Sequence, residues 1–160
     1  MSDQDGLKAG VVLDDCCHAL HLLEMESDPK TFRVLWVAAV ALVRSVGHVL
    51  EKVDAVKDER LKQIISRAYA RWKADKEQNS IFWEFIRDER NQLLKEYVIS
   101  FSSDPVPVRL GDVSYKIGNL LFCPIIKGKY SGADCRDILS DAIDWWEKEL
   151  NQIADEYLND

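Results

Sequence analysis

Glu89, Arg90, Asn91 and Lys95, with Tyr97 just beyond them, are the polar residues of this chain best spaced for chemistry. They lie in the run Ile81-Phe82-Trp83-Glu84-Phe85-Ile86-Arg87-Asp88-Glu89-Arg90-Asn91-Gln92-Leu93-Leu94-Lys95-Glu96-Tyr97, whose apolar residues recur at helical spacing. At about 100° of rotation per residue, Phe82, Ile86, Leu93 and Tyr97 share one face. Glu89 falls inside that face, Arg90 on its flank, and Lys95 on the opposite side, toward solvent. An Arg beside a polar residue, followed a turn or two later by a basic or phenolic group, can hold a phosphate and polarise a 2′-hydroxyl. The guanidinium suits that task because it is planar, permanently charged and rich in donors. A plainer reading stands beside it. Charge at the edge of a core costs free energy unless it is paired, so Glu89 and Arg90 also read as an ion-pair network. Glu84, Arg87, Asp88 and Asn91 read as surface i,i+3 and i,i+4 pairs, each worth about 0.2–0.5 kcal/mol.

A second candidate is Arg44-Ser45-Val46-Gly47-His48, with Arg44 and His48 four apart on one face of an earlier helix. Histidine is the side chain best suited to general-base work at neutral pH; Tyr and Lys, at about 10, require strong tuning. If the two helices pack together, His48 approaches Arg90. Without that approach, His48 beside Gly47 is a hydrogen-bonded core histidine. His18 and His21, near Cys17, Asp14 and Glu24, lack the HExxH arrangement and read as solvated or interface histidines. No glycine-rich phosphate loop, Ser/His/Asp set or Cys/His dyad of suitable spacing occurs, and no metal or cofactor is expected.

The elements that must position these residues are helices. The periodicity predicts a first helix over about Leu7 to Met25, broken at Ser27-Asp28-Pro29. Thr31 reads as the N-cap of a second, about Phe32 to Ala55, apolar on nearly all sides in its first half. Gly47 inside it costs about 1 kcal/mol against Ala, which implies a close helix contact. A third helix is predicted over roughly Asp58 to Ala74. The fourth starts near Asn79-Ser80 and is ended by Pro105 and Pro107. Val106 to Lys129 changes character, and Gly111-Asp112 between β-prone runs reads as a hairpin or an ordered loop. A last helix, about Ala133 to Leu158, carries Leu139, Ala142, Trp146, Leu150, Ile153 and Tyr157 as a seam for another helix, in this chain or a second copy. The fold class is therefore mainly α: an antiparallel bundle of about five helices with one β-hairpin or loop excursion at about 105–130, forming a single domain over 1–160.

With these residues in view, the chain resembles the HEPN superfamily, helical-bundle proteins of prokaryotic toxin–antitoxin and antiphage systems. One branch of that family carries Arg, a polar residue, then His and Tyr; Arg90, Asn91 and Tyr97 match the spacing, and Lys95 stands where the His would be. No His follows Arg90. The resemblance implies a homodimer whose paired motifs form one cleft, often a metal-independent ribonuclease site. With Lys95 in the His position, the expectation is a non-catalytic homodimeric binding or regulatory protein. The alternative is a divergent metal-independent ribonuclease that recruits Arg90 with His48 or Tyr97.

Composition narrows the choice of partners. The formal net charge is −7, which opposes sequence-independent attraction to nucleic acid or an anionic membrane, while a local basic pocket still permits RNA. The longest uninterrupted apolar run, Val34 to Val43, is far short of the roughly 20 residues a bilayer requires. Met1-Ser2-Asp3-Gln4-Asp5 has no signal-peptide pattern, so no membrane role and a cytoplasmic location are expected. Cys16, Cys17, Cys123 and Cys135 form no CxxC pair and are expected as reduced, mostly buried thiols. Trp145-Trp146 is expected to place one ring in the core and one at a rim or dimer contact. Phe122-Cys123-Pro124-Ile125-Ile126 is expected to tuck into the bundle or a second subunit. A neutraliser-type protein partner is expected from the family.

Overall fold

The computed structural model describes residues 6–159 of the 160; the acidic stretch at 1–5 lies outside them. Helix α1 is Lys8–Met25, and its buried residues Ala9, Leu13, Cys16, Ala19 and Leu23 recur every three or four positions. A short link turns the chain back into α2, Pro29–Val49, which packs along α1. The cap of α2 is Asp28 rather than Thr31. The Asp28 carboxylate accepts from the backbone N–H and the hydroxyl of Thr31, both at 2.8 Å. Pro29 fills the first turn, where a missing N–H costs nothing.

A π-helical turn, Leu50–Asp54, extends α2. It ends on a fully buried carboxylate: Asp54 accepts from the N–H groups of Lys8 and Ala9 at 2.8 and 2.9 Å and pairs with Lys57 at 2.8 Å. The end of one helix thereby satisfies the orphan donors at the start of another. Asp58 caps α3, Glu59–Ala74, by accepting from Leu61 N–H at 2.8 Å.

The motif at 81–97 is a second π-helical turn, Ile81–Arg87, running into α4, Asp88–Glu96. The expectation that the prolines end this helix is overturned. It stops at Glu96, where Tyr97 adopts a left-handed conformation (φ 51°, ψ 38°) and donates its N–H to Leu93 O at 3.0 Å. The competing pull is extended pairing: Ile126 N–H donates to Ser100 O at 2.8 Å, and Phe101 bridges Ile125. Tyr97, expected on the apolar face, is 61% exposed.

The excursion contains a true hairpin. Strands β1, Val106–Leu110, and β2, Val113–Ile117, pair antiparallel with Leu110 opposite Val113. Gly111 takes a positive φ of 60° at the first turn position, where glycine is favoured. No helix packs against the hairpin among the described residues. Residues 118–134 are irregular, yet Cys123 and Ile125 are buried, so the apolar segment does tuck into this bundle.

Helix α5, Cys135–Asn159, meets α1 and α3 along its predicted seam, so the partner of that seam lies in this chain. Trp146 is fully buried and donates to Val43 O at 2.9 Å. Trp145 is half-buried, stacks on Phe82 at 5.2 Å and donates to Asn79 Oδ1 at 3.1 Å. Both indoles are satisfied within the chain. A Cβ at Gly47 would stand 3.1 Å from the Trp146 ring, the close approach its sequence position implied. Of the four thiols, Cys17 is exposed and the other three are buried.

The apolar run is longer than its uninterrupted stretch suggested. Pro29–Asp54 is a continuous 26-residue helix containing an 18-residue stretch of mean hydropathy 1.6, long and apolar enough to cross a membrane by length and composition. Counting only unbroken apolar residues missed this. Its Phe32, Trp36, Ala39, Val40, Val43, Val46 and Gly47 are buried inside the bundle.

Leu93, 1% exposed, anchors α4 to that core. Leu93→Ala is expected to destabilise by about 2–5 kcal/mol, through lost burial and a cavity. Urea denaturation checks it, and an unchanged midpoint would show that α4 presents a different face.

Candidate functional site

Arg44 and His48 lie one helical turn apart near the end of α2, just ahead of the first π-helical turn. Arg87 ends the second π-helical turn, and Arg90 follows three residues later in the first turn of α4. The α2 and α4 segments pack together, so four basic residues from separate parts of the sequence share one face. Their charges register on one another. Burial lowers the Arg44 pKa, and the like charges of Arg90 and Arg87 lower it further. Burial also lowers the pKa of His48, followed by the charges of Arg44 and then Arg90. The charge of Arg90 reaches His48, more weakly than that of Arg44. His48 is exposed rather than a core histidine.

Arg44 and Arg90 lack close acidic partners among the described residues. Among the described residues no carboxylate comes within 4.0 Å of Arg44 or Arg90. Both are half-buried. Arg44 rests over the Phe82 ring at 5.9 Å, and Arg90 donates to Asn91 Oδ1 at 3.2 Å. Arg87 is more exposed; it lies over Trp83 at 5.0 Å and contacts Asp88 at 3.2 Å. Tyr69 closes one side, donating its hydroxyl to Gly47 O at 3.1 Å. Burial pushes its pKa up to about 12, so it stays a neutral donor. The arrangement presents several N–H donors and a titratable imidazole to solvent, which is what an oxyanion requires.

The ion-pair reading of Glu89 with Arg90 is not what forms. Glu89 turns instead toward the chain after α4, where Ser100 donates to it at 2.5 Å. Burial raises the Glu89 pKa; the Ser100 hydroxyl opposes that rise, and the Trp36 indole N–H does so more weakly, although it reaches hydrogen-bond geometry with no acceptor. Lys95 is exposed, as its helical phase predicted. Tyr97 leaves the helix in a left-handed turn and holds no place on the apolar stripe. His18 and His21 are exposed, and no group of three or more His, Cys, Asp or Glu is arranged to hold a metal among the described residues.

Sequence reading missed Arg87, Tyr69 and the two π-helical turns. Arg87 had a signal: it stands three residues before Arg90, a spacing that shares a helix face. The π turns had none. Such turns are rare and concentrate at functional sites.

Because burial, and then the charges of Arg44 and Arg90, hold His48 below its ordinary value, it is expected to titrate below 6.5, and Arg90→Ala is expected to raise that midpoint. Proton NMR of the imidazole in both proteins checks it; an unmoved midpoint would separate the two residues. The folded state binds the His48 proton more weakly than the unfolded chain. That contribution lowers stability as pH falls through the ordinary value of 6.5.

Comparisons with protein-family models, curated proteins and solved structures find no match to this chain.

Proposed function

We propose that this chain is a HEPN-like homodimeric RNA-binding protein, non-catalytic and cytoplasmic, whose phosphate-binding face is Arg44, Arg87, Arg90 and His48. One observation carries the reading: Arg44 and Arg90 are half-buried, and among the described residues neither has a carboxylate within 4.0 Å. Partly desolvated guanidiniums with no carboxylate in direct contact gain most from an external anion, and RNA supplies phosphates in series. The biological setting that accompanies the reading is toxin–antitoxin or antiphage defence, with a neutraliser-type protein as a further partner.

A second reading, a divergent metal-independent ribonuclease, draws on His48. Its depressed pKa keeps it unprotonated at neutral pH, and so able to accept a proton beside Arg90. Tyr97 is the weaker recruit, since it sits beyond the end of α4.

One experiment separates the two. Fluorescence anisotropy with a single-stranded RNA is expected to show binding that weakens about tenfold in Arg90→Ala and strengthens as His48 gains its proton below pH 6.5. The same RNA is expected to stay intact in EDTA. Cleavage that disappears in His48→Ala and Arg90→Ala would install the ribonuclease reading, and no RNA binding at all would end both.

The hairpin supports the homodimer. A two-stranded sheet alone is marginally stable in water, yet this one meets no helix and exposes Leu110 (69%), Val113 (52%) and Tyr115 (52%). Light scattering is expected to give twice the 18.4 kDa of one chain. The double substitution Leu110→Lys with Tyr115→Lys is expected to restore one chain's mass. A wild-type mass of 18.4 kDa at micromolar concentration would contradict the dimer.

A further inference from the structure

Two thiols stand where the excursion rejoins the bundle. Pro124 and Asp134 form an antiparallel bridge, and its register places Cys123 opposite Cys135. The Cys135 N–H donates to Cys123 O at 2.9 Å, and on the other side of the bridge Ile125 N–H donates to Ala133 O at 2.8 Å. Facing residues of an antiparallel pair send their side chains to the same side, with Cα atoms about 5.5 Å apart where hydrogen bonds join them. A disulfide spans Cα separations of roughly 4.4–6.8 Å. Both cysteines are fully buried, and both are free thiols.

The surroundings fix the pair and divide the work between its members. The Asp134 carboxylate accepts from Cys123 N–H at 2.8 Å, and Arg136 holds that carboxylate with two further donors at 2.8 and 2.6 Å. The Cys123 thiol donates to Ser102 O at 3.3 Å, so its sulfur is anchored on the strand side of the excursion. Burial, and then a hydrogen bond with the Cys123 side chain, raise the Cys135 pKa. Cys135 therefore keeps its proton, and Cys123 is the sulfur placed to react first. Cys16 and Cys17 offer nothing comparable: they are neighbours on α1, one buried and the other exposed.

We propose that Cys123 and Cys135 are a peroxide-oxidation site, which closes to a disulfide that staples the base of the excursion to the start of α5. Cys123 attacks one oxygen of hydrogen peroxide; the O–O bond breaks, water leaves and Cys123 becomes a sulfenic acid. The Cys135 sulfur then attacks that of Cys123, its proton goes to the departing hydroxide, and a second water leaves as the S–S bond forms. Two thiols are oxidised and one peroxide is reduced to two waters. Peroxide is little larger than water and enters when the irregular residues 118–134 open locally. Buried thiols react slowly, so the site answers sustained oxidation rather than a brief pulse. The bridge closes the loop 124–134, whose Ile125, Lys127 and Tyr130 wall a cleft of about 360 Å³ against Phe85 and Glu89. That wall and the root of the hairpin lose freedom together. None of this chemistry depends on the basic face.

The test exposes the folded, full-length chain to hydrogen peroxide, removes the excess with catalase and blocks remaining thiols with iodoacetamide in urea. Trypsin cuts after Lys116, Lys127, Lys129 and Arg136, so the bridge is expected as Ile117–Lys127 linked to Tyr130–Arg136 in the unreduced mass spectrum. Dithiothreitol is expected to separate the two peptides. The bridged chain is expected to melt at least about 3 °C above the reduced one, through the closed loop. In Cys135→Ser, Cys123 is expected to stop at the sulfenic acid and take up dimedone, while the wild type takes up little there. Cys123 and Cys135 both recovered alkylated, under exposure that oxidises Cys17, would overturn the site without any variant. So would either sulfur bonded to Cys16 or Cys17. A bridged chain that melts no higher than the reduced one would overturn the staple.

Discussion

The passage of α2 over α5 at Gly47 sets the geometry of everything that faces solvent nearby. The Trp146 ring occupies the space a side chain would need, with its nearest atoms 3.1 and 3.2 Å from an ideal Cβ, and its indole N–H is tied to Val43 O. The Tyr69 hydroxyl stands 3.2 Å from the same point and bonds the Gly47 carbonyl. Glycine is poor inside a helix by about 1 kcal/mol relative to Ala. Here the loss is offset by a dense aromatic junction in which Trp72 meets Tyr69 at 4.6 Å, Trp145 at 5.0 Å and Trp146 at 5.6 Å. From this clamped segment Arg44 extends over the ring of Phe82, which itself packs against Tyr69, Trp72, Trp145 and Trp146.

The two π-helical turns complete the positioning. Each adds a residue to a turn and so rotates the rest of its helix relative to a regular α-helical phase. The first separates His48 from Asp54, letting one face solvent while the other is buried under the start of α1. The second lies between Phe82 and Arg90. Phe82, Phe85 and Ile86 are buried before α4 starts, and Glu89 and Arg90 then diverge, one to Ser100 and the other to the α2 side. Adjacent opposite charges that each find a separate environment is the outcome a uniform helical wheel could not contain.

Legibility followed the strength of the local signal. Helices α1, α3 and α5 were readable to within a residue or two, because a regular apolar stripe and a capping Asp or breaking Pro mark them. The hairpin was readable from Gly111-Asp112 between β-prone runs. The end of α4 was not. Nothing local stops a helix at Glu96; the extended pairing of Ser100 and Ser102 with Ile126 and Pro124 draws the chain away, and that contact is distant in sequence. Of the candidate site, Arg90, Arg44 and His48 were identifiable by type and spacing. Their union was not, since it depends on the packing of α2 on α4.

A chain of net charge −7 is a poor partner for a polyanion only if charge acts as a sum. At physiological ionic strength the screening length is about 8 Å, so an approaching phosphate responds to groups within that reach. On α5, burial and the charges of Asp144 and Asp137 raise the Asp141 pKa. On the α2–α4 side, burial and then the charges of Arg44 and Arg90 lower the His48 pKa, and burial with the charges of Arg90 and Arg87 lowers that of Arg44. On the proposed reading, the acidic surplus is screened at long range, and the basic face acts on an anion at contact. Such a surface discards the nonspecific, charge-steered encounter that basic proteins make with any nucleic acid. On the proposed reading, a ligand is held where it brings a phosphate to the half-buried guanidiniums of Arg44 and Arg90.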